Sequence, residues 1–187
     1  MSLAMRRHTF GRLGLSATLA SVVALMGMAP SASAADTPPM TVTADKASAS
    51  PGDTVTITLK FTNDQTTNTQ FVYQSIQPTW NTSQDPALKY AFASCTGDVT
   101  RCDVTGKQSG SMNYNVPVLP GASRTVTLKY NIAADSACGP SRRIEFYTYL
   151  YYEYQGGQAK KDGVNSIGTD IACKTPAASA KAATAGH

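Results

Sequence analysis

Histidine is nearly absent from this 187-residue chain, which has only His8 near its start and His187 at its end. Glutamate is almost as scarce, since Glu145 and Glu153 are the only two. General acid–base catalysis depends on such side chains, held at tuned pKa values. Eight residues of strand separate the glutamates by roughly 26 Å, far beyond the glycosidase spacing of about 5–9.5 Å. We therefore predict that the chain has no catalytic residue and is not an enzyme.

Motifs for metals and nucleotides are missing as well. The four cysteines are never spaced as CxxC, and the acidic residues follow no EF-hand pattern. The pair Gly156-Gly157 suits a hairpin turn better than a phosphate-binding loop. The sequence therefore predicts neither a metal site nor a cofactor.

The first 34 residues have the layout of a secretory signal peptide. Arg6, Arg7 and Arg12 form a positive region, an apolar stretch follows over residues 13–29, and Ala32-Ser33-Ala34 matches a cleavage site. The apolar stretch is short for a membrane-spanning helix, which needs about 20 residues. We predict cleavage after Ala34 and secretion of the remainder.

Cleavage would change the charge of the chain. Removing three arginines lowers the Lys+Arg count from 16 to 13 against 12 Asp+Glu, so the net charge falls from +4 to +1. A nearly neutral chain lacks the basic surface that nucleic acids attract. No second long apolar stretch follows the signal. We predict an extracellular protein that binds no nucleic acid and does not span a membrane after cleavage.

The remainder has the size of a single domain. Residues 35–40 contain two prolines and predict an extended leader, which is either disordered or a strand that adds to a partner's sheet. Residues 41–174 are assigned to the folded domain. Residues 175–187 are rich in alanine and lack large apolar side chains, so we predict a disordered tail.

All four cysteines lie in the exported part, where an even number predicts disulfides. Four cysteines allow three pairings. We favour Cys95–Cys102 and Cys138–Cys173, because each closes a plausible loop between neighbouring elements.

Alternation of apolar and polar residues is the dominant pattern. In residues 53–63, Val55, Ile57, Leu59 and Phe61 share one face, and threonines with Lys60 share the other. Residues 124–132 repeat this pattern, and each segment follows a Pro-Gly turn. Such alternation is typical of half-buried antiparallel strands. Further strands are predicted over residues 40–47, 69–80, 88–95, 111–118 (at a sheet edge because of Pro117), 143–154 and 163–173. Seven to eight short strands without a helical stripe predict an all-β, Ig-like antiparallel β-sandwich.

Two segments carry a resemblance to a known family. The pairing of SPGDTVTITLKFTN with VLPGASRTVTLKYNIAA resembles bacterial Ig-like domains of the cell-adhesion-related (CARDB) kind and their surface-repeat relatives, over roughly residues 40–172. The resemblance implies a spacer, adhesion module or assembly part at the bacterial surface, without catalysis. The chain departs from that family in its single copy, its two expected disulfides and its tyrosine-rich late strand.

That late strand supplies the candidate binding site. Residues 147–154 contain five of the nine tyrosines. Alternation places Ile144, Phe146, Thr148 and Leu150 inward, and leaves Glu145, Tyr147, Tyr149, Tyr151 and Glu153 on the outer face. The rings either cover the sheet against neighbouring threonines and lysines or form a recognition strip, because tyrosine is enriched at interfaces. A bulge near the hairpin would turn Tyr152 and Tyr154 either way.

The only tryptophan, Trp80, is expected in the core, as a lone tryptophan in a sandwich usually is. The functional prediction is a secreted, non-catalytic module that binds an extracellular protein or cell-surface component. The alternatives are a stand-alone carbohydrate-binding module for cell-wall glycan and a secreted inhibitor or adaptor.

Overall fold

The computed structural model describes residues 39–174, apart from the side chains of residues 161–165. The expected signal peptide, most of the leader and the expected tail lie outside the described residues. The described part contains ten strands and one short helix: β1 Met40–Ala44, β2 Ser48–Ala49, β3 Thr54–Thr62, β4 Thr69–Pro78, α1 Trp80–Ser83, β5 Tyr90–Gly97, β6 Val99–Asp103, β7 Gly110–Tyr114, β8 Ser123–Ile132, β9 Arg143–Tyr154 and β10 Gln158–Ile171.

The strands form two packed sheets, which confirms the predicted β-sandwich. One sheet has four strands in the order β1-β3-β8-β5, and the other has six in the order β2-β10-β9-β4-β7-β6. Every pair of neighbouring strands is antiparallel except β2 with β10. No helix in residues 39–174 is long and apolar enough to cross a membrane.

Alternating side chains build the core between the sheets, as the pattern predicts. In β3 and β8 the apolar positions are at most 2% exposed: Val55, Ile57, Leu59, Phe61, Val126, Leu128, Tyr130 and Ile132. Aromatic rings fill the middle of the core, where Tyr90 and Tyr130 each pack edge-on against Phe146 at 5.4 Å between centroids. Edge-to-face packing of this kind adds about 0.5–1.5 kcal/mol per pair beyond burial of area.

Two disulfides fasten the sandwich, in the pairing that loop closure favoured. Cys95 on β5 is bonded to Cys102 on β6, with their Cα atoms 6.4 Å apart, so this bond joins the edges of the two sheets. Cys138, in the β8–β9 connection, is bonded to Cys173 just after β10, with their Cα atoms 5.0 Å apart. None of the cysteines is free.

Several element bounds differ from those predicted. β1 begins at Met40, as predicted, but ends at Ala44 rather than at residue 47, and the Met40 side chain is 1% exposed and packs in the core. β6 was not predicted, since its residues are mostly exposed. The expected edge position of residues 111–118 is wrong, because β7 ends at Tyr114 and lies between β4 and β6. Pro117 therefore lies in the following loop and removes no hydrogen bond from the sheet.

Candidate functional site

The tyrosine strip lies on the outer face of the six-stranded sheet. Along β9, Ile144, Phe146, Thr148, Leu150 and Tyr152 are buried, and the residues between them are half-buried. Tyr147, Tyr149 and Tyr151 therefore point away from the core, with Glu145 and Glu153 at either end. The alternation holds over the whole strand, because the register shift with β10 lies in β10, between Asp162 and Asn165.

The neighbouring strand β4 adds two rings to this strip. Tyr73 lies directly opposite Tyr151, and Phe71 lies opposite Glu153. The ring of Phe71 meets that of Tyr151 edge-on, with centroids 6.0 Å apart. We refer to Phe71, Tyr73, Tyr147, Tyr149 and Tyr151 as the aromatic face. Sequence reasoning missed the β4 members because nothing in the sequence shows that β4 and β9 are neighbours.

Hydrogen bonds hold two of the tyrosine rings in place. The hydroxyl of Tyr147 donates to Oε1 of Gln77 on β4 at 2.7 Å. The hydroxyl of Tyr151 donates to Oε1 of Glu153 at 2.6 Å, and this hydrogen bond raises the pKa of Tyr151. Within residues 39–174, the Tyr149 hydroxyl makes no hydrogen bond, and Ser75 is the residue opposite it on β4. Among the described residues the Tyr73 hydroxyl likewise has no hydrogen-bond partner, so these two hydroxyls of the aromatic face are open to a ligand.

The two glutamates are separate polar ends of the strip. The carboxylate of Glu153 accepts the hydrogen bond from the Tyr151 hydroxyl. Glu145 lies 3.7 Å from Nε of Arg143, whose Nη1 donates to Asp170 at 2.7 Å. The hydrogen bond that Arg143 donates to Asp170 is the main reason that the pKa of Arg143 is raised. Both carboxylates thus have cationic or hydroxyl partners of their own and do not face each other.

The opposite outer face of the sandwich offers an internal comparison. On the four-stranded sheet, β3 and β8 direct threonines and lysines outward: Thr54, Thr56, Thr58, Lys60, Thr125, Thr127 and Lys129. The other reading of the strip, in which the rings cover their own sheet against neighbouring threonines and lysines, stays a prediction beside the recognition strip. The two outer faces have the same alternation but different side chains. Outward-facing aromatic rings are concentrated on the six-stranded sheet.

The two tyrosines left open by the sequence take different positions. Tyr152 is fully buried, and its ring lies 5.1 Å from that of Phe61 between the sheets. Tyr154, at the end of β9, is half-buried and packs beside Tyr152 at 6.1 Å between centroids. Neither residue belongs to the aromatic face.

The expectation that Trp80 lies in the core is wrong. Its side chain is 75% exposed at the start of α1, immediately after β4. Pro78 ends β4, and the chain turns outward at Thr79 into a single helical turn. Trp80 therefore lies outside the core, whereas Leu88 and Tyr90, which follow the helical turn in the chain, are buried.

Thr82 fixes this helical turn against β9. Its side chain is 3% exposed, and its Oγ1 accepts a 2.9 Å hydrogen bond from the backbone N–H of Glu145. The N–H of Thr79 donates to the carbonyl of Glu145, also at 2.9 Å. The buried side of α1 is thereby tied to the strand that carries the tyrosines, and Trp80 is held on its outer side.

Trp80 borders an open depression of about 440 Å³ at the end of the aromatic face. Its lining residues come from the end of β4, from α1, from the β6–β7 loop and from β9: Gln77, Pro78, Trp80, Ser83, Ser109 and Tyr147. No charged side chain is among these lining residues. The depression has two aromatic side chains and several neutral hydrogen-bonding groups.

A second depression of about 610 Å³ follows residues 139–142 and 170–173 beside the Cys138–Cys173 bond. Its charged members already have partners, since Arg142 pairs with Asp85 and Asp170 pairs with Arg143. Among the described residues, no group of three or more histidine, cysteine or acidic side chains is placed to hold a metal.

Comparisons with known proteins concern the fold. No protein-family model and no curated protein matches the chain. Among solved structures, the third cohesin of ScaC from Acetivibrio cellulolyticus, in complex with a ScaB dockerin, matches with a TM-score of 0.53 and 17% identity, over 71% of this chain and 99% of that chain. The cohesin CaCohA2 from Clostridium acetobutylicum matches with a TM-score of 0.51 and 13% identity, over 72% and 92%.

A third similar structure is the cohesin module of a family 33 glycoside hydrolase from Clostridium perfringens, with a TM-score of 0.52 and 8% identity over 74% of this chain and 100% of that one. At such identities the likeness shows the fold alone. It agrees with an Ig-like bacterial β-sandwich and does not single out the cell-adhesion-related kind.

Proposed function

We propose that this chain is a secreted, non-catalytic module that binds an extracellular protein through its aromatic face. The observation that carries the proposal is the set of five rings on two adjacent strands of one sheet, with no counterpart on the opposite sheet. Tyrosine combines a large contact area with a hydroxyl and few rotatable bonds, so it is enriched where proteins meet.

The size of the sheet is adequate for such an interface. Eight residue steps from Glu145 to Glu153 span roughly 26 Å, and six strands about 4.8 Å apart span roughly 24 Å. Because β2, β6 and β7 are short, the area is at most on the order of 600 Å², which suits an interface smaller than the standard one of ~800 Å² per partner. A sheet stapled by two disulfides loses little conformational entropy on binding, which favours affinity.

The fold comparisons support a binding role. The ScaC cohesin of Acetivibrio cellulolyticus was solved in complex with a dockerin, so this fold can serve as a partner-binding module. Whether the present chain binds any such partner is not carried by that likeness. Membership of the cell-adhesion-related kind remains a proposal based on the two Pro-Gly strand segments.

Secretion is supported by two independent features. The first 34 residues have the signal-peptide layout, and both disulfides require an oxidising compartment to persist. We infer an extracellular bacterial protein whose mature part begins near residue 35.

The test is a pull-down from the culture supernatant of the source organism with two matched variants. Replacing Tyr73, Tyr149 and Tyr151 by Ser removes three rings from the aromatic face. Replacing Thr58, Thr127 and Lys129 by Ser changes the same number of outward positions on the opposite face. We expect a stoichiometric protein partner to be lost with the first variant and kept with the second.

Circular dichroism and thermal unfolding of both variants show whether the fold survives. Equal retention of the partner by both variants would refute the aromatic face as the binding site. Retention only on insoluble wall polysaccharide would favour the carbohydrate-binding alternative. A partner that proves to be an enzyme losing its activity on binding would favour the inhibitor alternative.

A further inference from the structure

Trp80 is largely exposed, yet the helical turn that carries it is firmly anchored. A tryptophan that is 75% exposed forgoes most of the stabilisation that burial of its ring would supply. The turn that presents it is nevertheless anchored by a buried threonine, Thr82, with a hydrogen bond to β9. The indole is thus held at a defined place beside the aromatic face.

The neighbouring polar groups are also arranged in advance. The hydroxyl of Tyr147 donates to Oε1 of Gln77 at 2.7 Å and so fixes the carboxamide of Gln77. No acceptor in the described part of the chain takes the Nε2 protons of Gln77, so two donors remain for a ligand. The hydroxyl of Ser83 donates to the carbonyl of Trp80 at 2.9 Å and keeps its lone pairs for a further donor.

The depression between these groups has the volume of a ligand site and an uncharged lining. Its 440 Å³ lies within the range of about 300–1,000 Å³ that is usual for small-molecule sites. An anionic ligand would find no cation among the lining residues, and a cationic ligand would find no carboxylate. A ligand that matches this lining is neutral. It has apolar surfaces that can pack on the rings of Trp80 and Tyr147, and hydroxyl groups that can hydrogen-bond to the amide of Gln77 and to the two serines.

We propose that this depression is a subsite for a neutral oligosaccharide of pyranose units. The C–H-rich face of a pyranose ring stacks on an aromatic ring, as Trp80 and Tyr147 offer, while its hydroxyls pair with Gln77, Ser83 and Ser109. A peptide segment offers its acceptors less regularly than a sugar ring offers its hydroxyls, so it would match the fixed Nε2 donors of Gln77 less well. The site is separate from Tyr73, Tyr149 and Tyr151, so it goes beyond the proposed protein-binding function and does not depend on it.

The experiment uses the fact that Trp80 is the only tryptophan. The secreted protein is titrated with cellohexaose, chitohexaose and mannohexaose while its tryptophan fluorescence is followed, and calorimetry measures the same binding without a fluorophore. We expect a saturable change in emission with at least one of these oligosaccharides, since stacking on a sugar replaces the water around the indole.

Variants then assign the site. Trp80→Ala should abolish binding in the calorimeter, Trp80→Phe should retain part of it, and Gln77→Ala should weaken it by about threefold to tenfold, the worth of one net hydrogen bond. Tyr151→Ser removes a ring of β9 that does not line the depression, so this control should bind the sugar as the wild type does. Because Trp80 and Gln77 are exposed, their variants should keep the wild-type thermal unfolding midpoint.

Three outcomes would overturn the subsite. They are no saturable signal with any of the three oligosaccharides, binding that survives Trp80→Ala, and binding that is lost with Tyr151→Ser but not with Gln77→Ala. The proposed protein-binding function is tested separately, and it fails if the variant with Tyr73, Tyr149 and Tyr151 replaced by Ser retains the supernatant partner. A protein partner that protects Trp80 fluorescence while all sugars fail would assign the indole to the protein interface.

Discussion

The hydroxyl of Tyr152 donates a 2.7 Å hydrogen bond to Oδ1 of Asp64, which ties the end of β9 to the loop between β3 and β4. The other oxygen of Asp64 accepts from Nζ of Lys160 on β10 at 2.9 Å. One carboxylate therefore connects a buried tyrosine of one sheet, a loop and the strand beyond it. The contact is polar but partly shielded, since the ring of Tyr152 is buried against Phe61.

Asp64 should make the stability of the protein depend on pH in the acid range. Burial alone raises its pKa, but hydrogen bonds from Lys160 and Tyr152 outweigh burial and hold the pKa below 3.8. A carboxyl whose pKa is lower in the folded state contributes stability above its unfolded pKa, and this contribution is lost as pH falls through the folded pKa. Asp64→Asn should be less stable than wild type near neutral pH, and the difference should shrink below about pH 4.

Urea unfolding of wild type and Asp64→Asn across the acid range measures this convergence. Tyr152→Phe serves as the companion variant, because it removes one donor and leaves the charge. A stability gap between wild type and Asp64→Asn that stays constant from neutral to strongly acid pH would contradict the assignment.

Buried tyrosines should set the alkaline limit of the fold. Burial raises the pKa of Tyr90 and of Tyr130 to about 12, and it raises the pKa of Tyr114 as well. A group whose pKa is raised by folding stabilises the fold fully below its unfolded pKa of 10.0, and that contribution disappears as pH rises through the folded pKa. The sandwich should therefore unfold cooperatively between about pH 10 and pH 12.

Circular dichroism and phenolate absorbance, recorded together, check this window. Loss of the sheet signal should coincide with a steep component of the absorbance. Tyr90→Phe removes one of the responsible groups and should move the transition to higher pH. Gradual titration of every tyrosine in a sheet that stays folded would show that the buried rings are open to solvent.

Asn63 should be the most sensitive polar residue at the end of β3. It is 1% exposed, and its Nδ2 donates to the carbonyls of Thr67 and Val118, each at 2.8 Å, while its Oδ1 accepts from the N–H of Gln65 at 3.0 Å. Asn63→Ala leaves these backbone groups without partners, at about 1–3 kcal/mol for each group that stays buried. We expect a loss of roughly 2–4 kcal/mol in the free energy of unfolding.

Chemical denaturation of Asn63→Ala beside Asn131→Ala provides the comparison. Asn131 is exposed on β8, where it accepts a hydrogen bond from Thr54, so its replacement should change stability by about 0.5 kcal/mol or less. Similar losses in the two variants would mean that the network around Asn63 contributes little.

The two disulfides should stabilise the protein unequally. Cys138 and Cys173 are 35 residues apart in the chain, whereas Cys95 and Cys102 are 7 apart. Because a longer closed loop restricts the unfolded chain more, the chain-entropy relation gives about 3.8 kcal/mol for the first bond and about 2.5 for the second. Replacing Cys138 and Cys173 together by Ser should therefore lower the unfolding midpoint more than replacing Cys95 and Cys102.

Thermal unfolding of the two double variants gives the order directly. The reverse order would show that joining the sheet edges at Cys95–Cys102 matters more than loop length.

Local alternation was sufficient to assign most strands and their faces. The inward residues of β3, β8 and β9 are buried as predicted, because successive side chains of a strand must point to opposite sides whatever the strand pairs with. The Cys95–Cys102 bond, which closes a loop of 7 residues, was also accessible to such local reasoning, and with four cysteines it leaves Cys138 to pair with Cys173. These features depend on covalent geometry and on residues close together in the chain.

The tertiary structure decided which residues make up the aromatic face. Phe71 and Tyr73 join the tyrosines of β9 only because β4 pairs with β9 across some eighty residues of chain, and no local pattern encodes that pairing. Trp80 is exposed because β4 ends at Pro78 and the turn that follows is tied to β9 through Thr82, which leaves the indole on the outer side. The sequence alone determined which way each strand faces, and the packing of distant strands determined what each face contains.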